Sequence, residues 1–261
     1  MRPKLRVLSL FAGIGGFDLG LERTGGFETV AVCEIDEFPR RVLAKHWPEV
    51  PCYHDVRELT ADTLRRDGIT VDVLTGGFPC QDISIAGPGA GIDGSRSGLW
   101  RELVRIIGEV RPRYAIIENS PKLRSRGLEV LLGALDALGY DAEWHCIPAA
   151  HVGAPHRRDR VWIIAYRKGY PLGTHPNLLR PHPSNMHVGG GTELRDEQER
   201  VPGSLAWWSS EPELERVVDG VPSRLDVARI KAVGNAVVPF IPEMIGRAIL
   251  AHHHTDIGAA A

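Results

Sequence analysis

Cysteine is scarce and scattered: four among 261 residues, at Cys33, Cys52, Cys80 and Cys146, with no C-x-x-C pair and no histidine at zinc-ligand spacing. That excludes a disulfide framework and a structural zinc site as organising devices, and it fits a reduced, cytoplasmic setting. No charge sign dominates, because 31 Lys and Arg stand against 33 Asp and Glu for a formal net charge of −2. A polyanion-binding face, if present, has to be local rather than global. No run reads as long and apolar enough to cross a bilayer. The amino-terminal stretch Met1-Arg2-Pro3-Lys4-Leu5 lacks the apolar core of a signal peptide and leads directly into a strand pattern. There is no internal repeat. His252-His253-His254 is read as a polar helix end, so no metal site is expected.

What is present suits one sizeable core, with 43% hydrophobic and 25% charged residues. Strand and helix patterns alternate over the first two-thirds. Strands are expected at residues 5–10, 28–33, 71–75, 114–117 and 161–165, and helices at 17–23, 36–46, 98–110 and 128–138. Such alternation predicts an α/β fold, a Rossmann-like, doubly wound and mostly parallel sheet with helices on both faces. After Tyr166 the composition shifts to Pro, Gly, His and Arg, and periodicity fades. Trp207 and Trp208 argue for a packed irregular unit there rather than a linker. The expected organisation is a main domain over 1–166, a small irregular domain over 167–222, and a segment over 223–261 that returns to the main domain with a terminal helix near 239–254.

Basic residues concentrate twice. Arg111, Arg113, Lys122, Arg124 and Arg126 are opposed only by Glu118 in their stretch, and Arg157, Arg158, Arg160, Arg167 and Lys168 form the second group. A solvated face is the commoner meaning of such runs.

The most informative segment is Gly76-Gly77-Phe78-Pro79-Cys80-Gln81, directly after the apolar run Val71-Asp72-Val73-Leu74-Thr75. A buried strand runs into a Gly-Pro turn that presents one cysteine. Chemistry in open α/β sheets sits outside the carboxyl ends of strands, which makes Cys80 a candidate nucleophile. The first βα turn, Phe11-Ala12-Gly13-Ile14-Gly15-Gly16, allows close backbone approach to a cofactor, although its spacing is not that of a dinucleotide fingerprint. Strand two ends at Cys33-Glu34-Ile35-Asp36, and an acid there is placed to accept hydrogen bonds from ribose hydroxyls. Together they suggest an adenosine-bearing cofactor.

These pieces, in this order, resemble the DNA cytosine-5 methyltransferases of bacteria and phages. F-A-G-I-G-G (residues 11–16) is similar to the S-adenosylmethionine loop of that family and C-E-I-D (33–36) to its ribose-binding acid. H-D-V places Asp55 and Val56 near the adenine, G-G-F-P-C-Q (76–81) is similar to the catalytic loop, and E-N-S (118–120) to the catalytic glutamate motif. H-R-R-D-R (156–160) resembles Q-x-R-x-R, and G-N-A-V-V-P (234–239) the closing motif. Two departures stand out: Ser120 replaces the usual valine, and His156 replaces the leading glutamine.

The resemblance implies a class I methyltransferase with S-adenosylmethionine as cofactor and S-adenosylhomocysteine as product. The implied cofactor contacts are Phe11, Ala12, Gly13, Ile14, Gly15 and Gly16 in the first turn, then Glu34, Ile35, Asp55 and Val56. Gly77, Pro79, Leu99, Asn235 and Ala236 complete that set. Cys80 would add to C6 of a flipped cytosine. Glu118, following a buried strand beside that of Cys80, would contact N3 and the exocyclic amine. Arg158 resembles the arginine that contacts the base O2, with Arg160 as a further catalytic group. The bland alternatives are a surface ion pair of Glu118 with Arg113 or Lys122 and solvated arginines. The Gly- and Ser-rich stretch 81–98 suits a mobile loop closing over DNA, with Gln81, Ser84 and Arg96 as DNA contacts.

Residues 167–222 correspond to an unusually short target-recognition region, with Arg180, His182 and Arg195 as DNA-facing groups and a short or degenerate site expected. The implied partner is double-stranded DNA. No membrane association is expected, the chain is read as a monomer, and a cognate restriction endonuclease is the implied companion. Three alternatives remain at this point: an RNA cytosine-5 methyltransferase of the tRNA-acting type, a non-catalytic DNA-binding paralogue, and a small-molecule methyltransferase.

Overall fold

In the computed structural model, which describes residues 3–79, 98–154, 156–168, 229 and 231–259, a seven-stranded sheet forms the centre. The chain runs β1 (Leu5–Leu10), α1 (Gly16–Glu22), β2 (Phe27–Cys33), α2 (Glu37–His46), β3 (Cys52–Tyr53), α3 (Ala61–Arg66) and β4 (Val73–Gly76). It continues through α4 (Leu99–Val110), β5 (Tyr114–Asn119), α5 (Leu123–Arg126), α6 (Leu128–Ala137), β6 (Tyr140–Pro148), β7 (Asp159–Arg167) and α7 (Phe240–Ala259). The strand order is β3-β2-β1-β4-β5-β7-β6. The five strands from β3 to β5 are parallel, and β7 runs antiparallel to both β5 and β6. The architecture is the expected Rossmann-like, mostly parallel one.

β1, β4 and β5 are buried on both faces because helices cover both. One face packs α1 and α7: Phe17 and Leu21 meet Ile241, Ile245 and Ile249 over Val7, Ile116 and Trp162. The other packs α4 and α6 through Leu103, Ile106, Ile107, Leu128, Leu131 and Leu135. Those apolar residues recur at helical spacing, which turns one stripe of each helix to the sheet. α1 lies so close to the returning chain that a Cβ on Gly16 would sit 2.5 Å from the Val237 carbonyl oxygen, and one on Gly20 2.2 Å from that of Pro239. Glycine is required there by the backbone approach.

The structure departs from the sequence reading in places. β6 was not expected; its half-exposed residues mix polar and apolar types without clean alternation, as befits an edge strand. The short α3, capped by the Thr60 side chain accepting from Thr63 N–H, was also missed. β5 and β7 are longer than expected, so Glu118 lies within β5 rather than after it, and Arg160 lies within β7. The membrane expectation needs correcting as well. Lys231–His252 is long and apolar enough to cross a bilayer by length and composition, with a mean hydropathy of 1.3. Helix is interrupted there at 236–239. The apolar side chains Ile241, Ile245 and Ile249 are buried against the sheet. Their hydrophobicity is that of a core helix.

Candidate active site

The winding direction reverses between β1 and β4, since β1, β2 and β3 progress one way and β4 and β5 the other. Ligands in such sheets bind outside the carboxyl ends at this reversal. The two turns that border it are Phe11–Gly16 after β1 and Gly77–Pro79 after β4.

The first turn is stitched by local hydrogen bonds. Ala12 N–H donates to the Cys33 carbonyl at 3.1 Å, and Glu34 N–H to that of Tyr53 at 2.9 Å. The Glu34 carboxylate accepts from Gly13 N–H and from Asp36 N–H, each at 2.8 Å. Gly13 adopts φ +55, and a Cβ there would meet nothing within 4 Å. Open space thus lies over Gly13, beside the buried Glu34, and Ile35, next in the chain, is exposed. A carboxylate has about four acceptor positions, so two N–H donors leave Glu34 able to take ribose hydroxyls. The residues fit a nucleoside. Asp55 is already engaged: its carboxylate accepts from Arg57 Nε at 2.9 Å and from Arg57 N–H, and this pairing holds its pKa below the usual carboxylate range. Val56 is buried in the core, Leu99 packs partly against it, and Pro79 is exposed.

Beneath this turn lies a group the sequence reading passed over. Asp18 is fully buried on α1. It accepts from Ser9 Oγ at 3.1 Å and Thr29 Oγ1 at 3.2 Å, and Thr75 Oγ1 in turn donates to Ser9. The chain of hydroxyls ties β1, β2 and β4 to the helix after the turn. Burial pushes the Asp18 carboxyl up to about 6, against the opposing pull of its hydrogen bonds. The signal available in sequence was an acid on the same helix face as Phe17 and Leu21.

On the other side, Glu118 faces the second turn. A Cβ on Gly77 would come within 3.0 Å of Glu118 Oε2. Arg160 Nε meets Glu118 Oε1 at 2.8 Å, with the two side chains 27% and 13% exposed. The pair is thus largely shielded from water, where charge interactions are strong. Burial raises the pKa of Glu118, while Arg160 and Arg158 pull it down. Trp162 stands directly opposite Glu118 in the β5–β7 ladder. Next along, Asn119 Nδ2 donates to the Phe78 carbonyl at 3.0 Å and fixes the second turn to β5.

The structure orders the two arginines in a way the sequence did not. Arg160, not Arg113 or Lys122, pairs with Glu118. Arg158 donates through Nη1 to the Gly234 carbonyl at 2.6 Å and through Nη2 to that of Ala236 at 2.9 Å. Its backbone sits at φ +33, a conformation that costs a non-glycine residue about 1–3 kcal/mol. Arg158 therefore spans the gap to the closing segment, where Asn235 is exposed and Ala236 half-buried. Lys231 adds a second tie, from this segment to the turn after β2, meeting Asp36 Oδ2 at 2.8 Å.

Burial pushes up the thiols of Cys33, to about 12, and of Cys52, which keeps both protonated near neutrality. Cys80, Gln81, Ser84, Arg96, Arg180, His182, Arg195 and the Trp207–Trp208 pair lie outside the described residues. Among the described residues, no cluster of three His, Cys, Asp or Glu groups is arranged to hold a metal.

Comparison with known proteins decides the affiliation. The profile of the family described as C-5 cytosine-specific DNA methylase matches residues 5–213. The chain belongs to that family. Type II methyltransferase M2.BsuMI of Bacillus subtilis is 38% identical over 169 residues, covering 62% of this chain and 42% of that protein. M.CviJI of Paramecium bursaria Chlorella virus IL3A is 36% identical over 167 residues, covering 63% and 44%. The chain thus spans about two-fifths of the length of these curated relatives. Among solved structures, an E. coli prophage-encoded protein described as a DNA modification methyltransferase matches with a TM-score of 0.56 at 27% identity, covering 69% of this chain and 51% of that one. Spodoptera frugiperda DNMT2 shares the fold, with a TM-score of 0.53 at 20% identity over 77% of this chain and 56% of that one.

Proposed function

We propose that the protein transfers a methyl group to C5 of a flipped cytosine in a short sequence of double-stranded DNA. The observation that carries this reading is a shielded Glu118–Arg160 pair against the turn that leads from β4 into Pro79-Cys80, on the strand adjoining β1 and its glycine turn. S-adenosylmethionine, when bound, supplies an electrophilic methyl group.

The residues divide the work. Glu34, Ile35 and the Gly13 turn hold the adenosine portion of the cofactor at the switch point. Target extrusion costs a few kcal/mol, because C5 is inaccessible in a stacked duplex. The Cys80 thiolate forms a bond to C6, and electron density moves into the C5–C4–N3 system. Glu118, whose burial favours its protonated form, donates to N3 and so favours that step. Arg160 sits on the Glu118 carboxylate while Arg158 is spent on the Gly234 and Ala236 carbonyls, and we assign to Arg160 the role of meeting the negative charge that builds on O2. Arg158 then acts by holding residues 234–236. After C5 takes the methyl group, loss of the C5 proton and departure of Cys80 restore the aromatic ring.

The decisive experiment offers tritium-labelled S-adenosylmethionine with duplex DNA, tRNA or no nucleic acid, followed by bisulfite sequencing of the DNA. Label in duplex DNA at C5 is expected. Label in tRNA alone, or none with either polymer, overturns the reading. Cys80→Ser should abolish transfer and keep cofactor binding. Duplex DNA carrying 5-fluorocytosine should form a covalent adduct only when Cys80 and cofactor are both present, because fluorine cannot leave as a proton does.

A further inference from the structure

The first basic concentration of the sequence divides in the structure. Arg111 caps the Leu138 carbonyl, and Arg113 pairs with Asp72 at 3.8 Å. Both are used within the fold. Lys122 and Arg124 are exposed, and among the described residues neither has a carboxylate partner. Arg124 is held by other means. Its guanidinium stands 5.6 Å from the centre of the Trp144 ring on edge strand β6, and Nη1 lies 3.9 Å from Cys146 Sγ. A cation–π contact with an indole orients a guanidinium, and with Nη1 turned to Cys146 the remaining N–H donors can face a phosphate. Trp144 is itself 39% exposed, unusual for a large aromatic without a polar role.

The location matters as much as the charge. α5 starts directly after β5, at the end of the sheet that carries Glu118. Arg124 is six residues beyond Glu118, so the two lie at most about 20 Å apart. That reach corresponds to about six base pairs of duplex, given about 3.4 Å of rise per phosphate on one strand.

We propose that Lys122 and Arg124, the latter braced on Trp144, form a docking strip for the phosphodiester backbone of duplex DNA beside the flipped base. The inference rests on the function proposed above. It adds a sequence-independent contact made by the α/β domain itself. Each phosphate neutralised releases counterions and steepens the salt dependence of binding.

The test compares the full-length protein with a Lys122→Ala/Arg124→Ala variant, titrating duplex DNA of the bisulfite-determined target sequence over a range of salt. Two lost phosphate contacts should flatten the slope of log affinity against log salt by about 1.8. KM for DNA should rise while kcat at saturating DNA and cofactor affinity stay unchanged. Arg124→Lys should keep the wild-type slope, since the charge remains, and bind more weakly, since the stacked fork is lost. Lys45→Ala/Arg66→Ala is the control. It removes the same charge from the ends of α2 and α3, which lead into the amino ends of strands. An unchanged slope in the Lys122/Arg124 variant with wild-type binding intact overturns the docking strip alone. Equal flattening by the control overturns it too, as a general charge effect. Absence of any salt-dependent duplex binding by the wild type overturns the strip together with the function on which it rests.

Discussion

The two halves of the site hold their carboxylates in opposite ways. Glu34, which the proposed function places at the cofactor, is fixed by backbone N–H groups of Gly13 and Asp36, in the turns that follow β1 and β2. Beside the β4 turn Glu118 is held by a side chain, the Arg160 guanidinium from β7, with a Cβ at position 77 coming to 3.0 Å from its carboxylate. The first arrangement is rigid because backbone amides of an ordered turn cannot relax away. The second depends on two side chains staying paired out of water, where losing one partner leaves the other charge uncompensated. Binding of a constant cofactor suits the former, and a site that must accept and release a base suits the latter.

The difference is sharpest under Glu118→Gln. The amide keeps the shape and a hydrogen-bond donor but cannot pass a proton, so kcat should fall by about 10²–10⁴-fold, with cofactor affinity unchanged by calorimetry. Arg160→Ala should cut kcat in the same assay, whereas Arg158→Ala should raise the cofactor dissociation constant by loosening residues 234–236. Equal losses in kcat for the two would erase the division of labour drawn here.

Asp18 tests the cofactor side from below. Its folded-state pKa is raised from 3.8 to about 6, so the native state binds this proton more tightly than the unfolded chain. Its contribution is fully present below about pH 4 and is lost as the pH rises through about 6. Asp18→Asn should therefore gain stability relative to wild type across that window, by about 3 kcal/mol at most. Urea unfolding at a series of pH values reads the difference, and a flat difference curve means Asp18 does not titrate there.

A smaller effect is expected of Glu34→Ala. Loss of charged hydrogen bonds to the ribose should weaken cofactor binding by about 1.5–3 kcal/mol, or about tenfold to a hundredfold. An unchanged dissociation constant removes Glu34 from the cofactor site. Least of all should come from Lys231→Ala. The Lys231–Asp36 pair is more than half exposed on both sides, and such pairs contribute about 0–1 kcal/mol. The expected readout is a small, salt-sensitive rise in the cofactor dissociation constant; a loss that persists at high salt would show that the pair closes the site more firmly than a surface contact does.

Legibility followed sequence distance. The Gly-rich turn, Glu34 and the β4 turn are short strings whose meaning is set by the strand just before them, and the structure places their described members at the sheet's switch point. The antiparallel insertion of β7 between β5 and β6 was not legible, because β6 carries the mixed pattern of an edge strand. Without that pairing, Glu118 had only its near neighbours Arg113 and Lys122 as visible partners, and nothing local showed that Arg160 rather than Arg158 would meet it. Asp18 was hidden for a related reason, as its hydroxyl partners come from three different strands.

The sequence by itself determined the alternation of strands and helices, the family, and the residue types the chemistry needs, because periodicity and short motifs are local properties of a chain. Tertiary structure decided which arginine meets Glu118, which one clamps residues 234–236, and which basic residues are left facing water. Those are contests among side chains of equal charge, and they are settled by register across the sheet: antiparallel pairing puts Arg160 on the face of Glu118, and the turn at Arg158 directs its guanidinium to carbonyls of the returning chain.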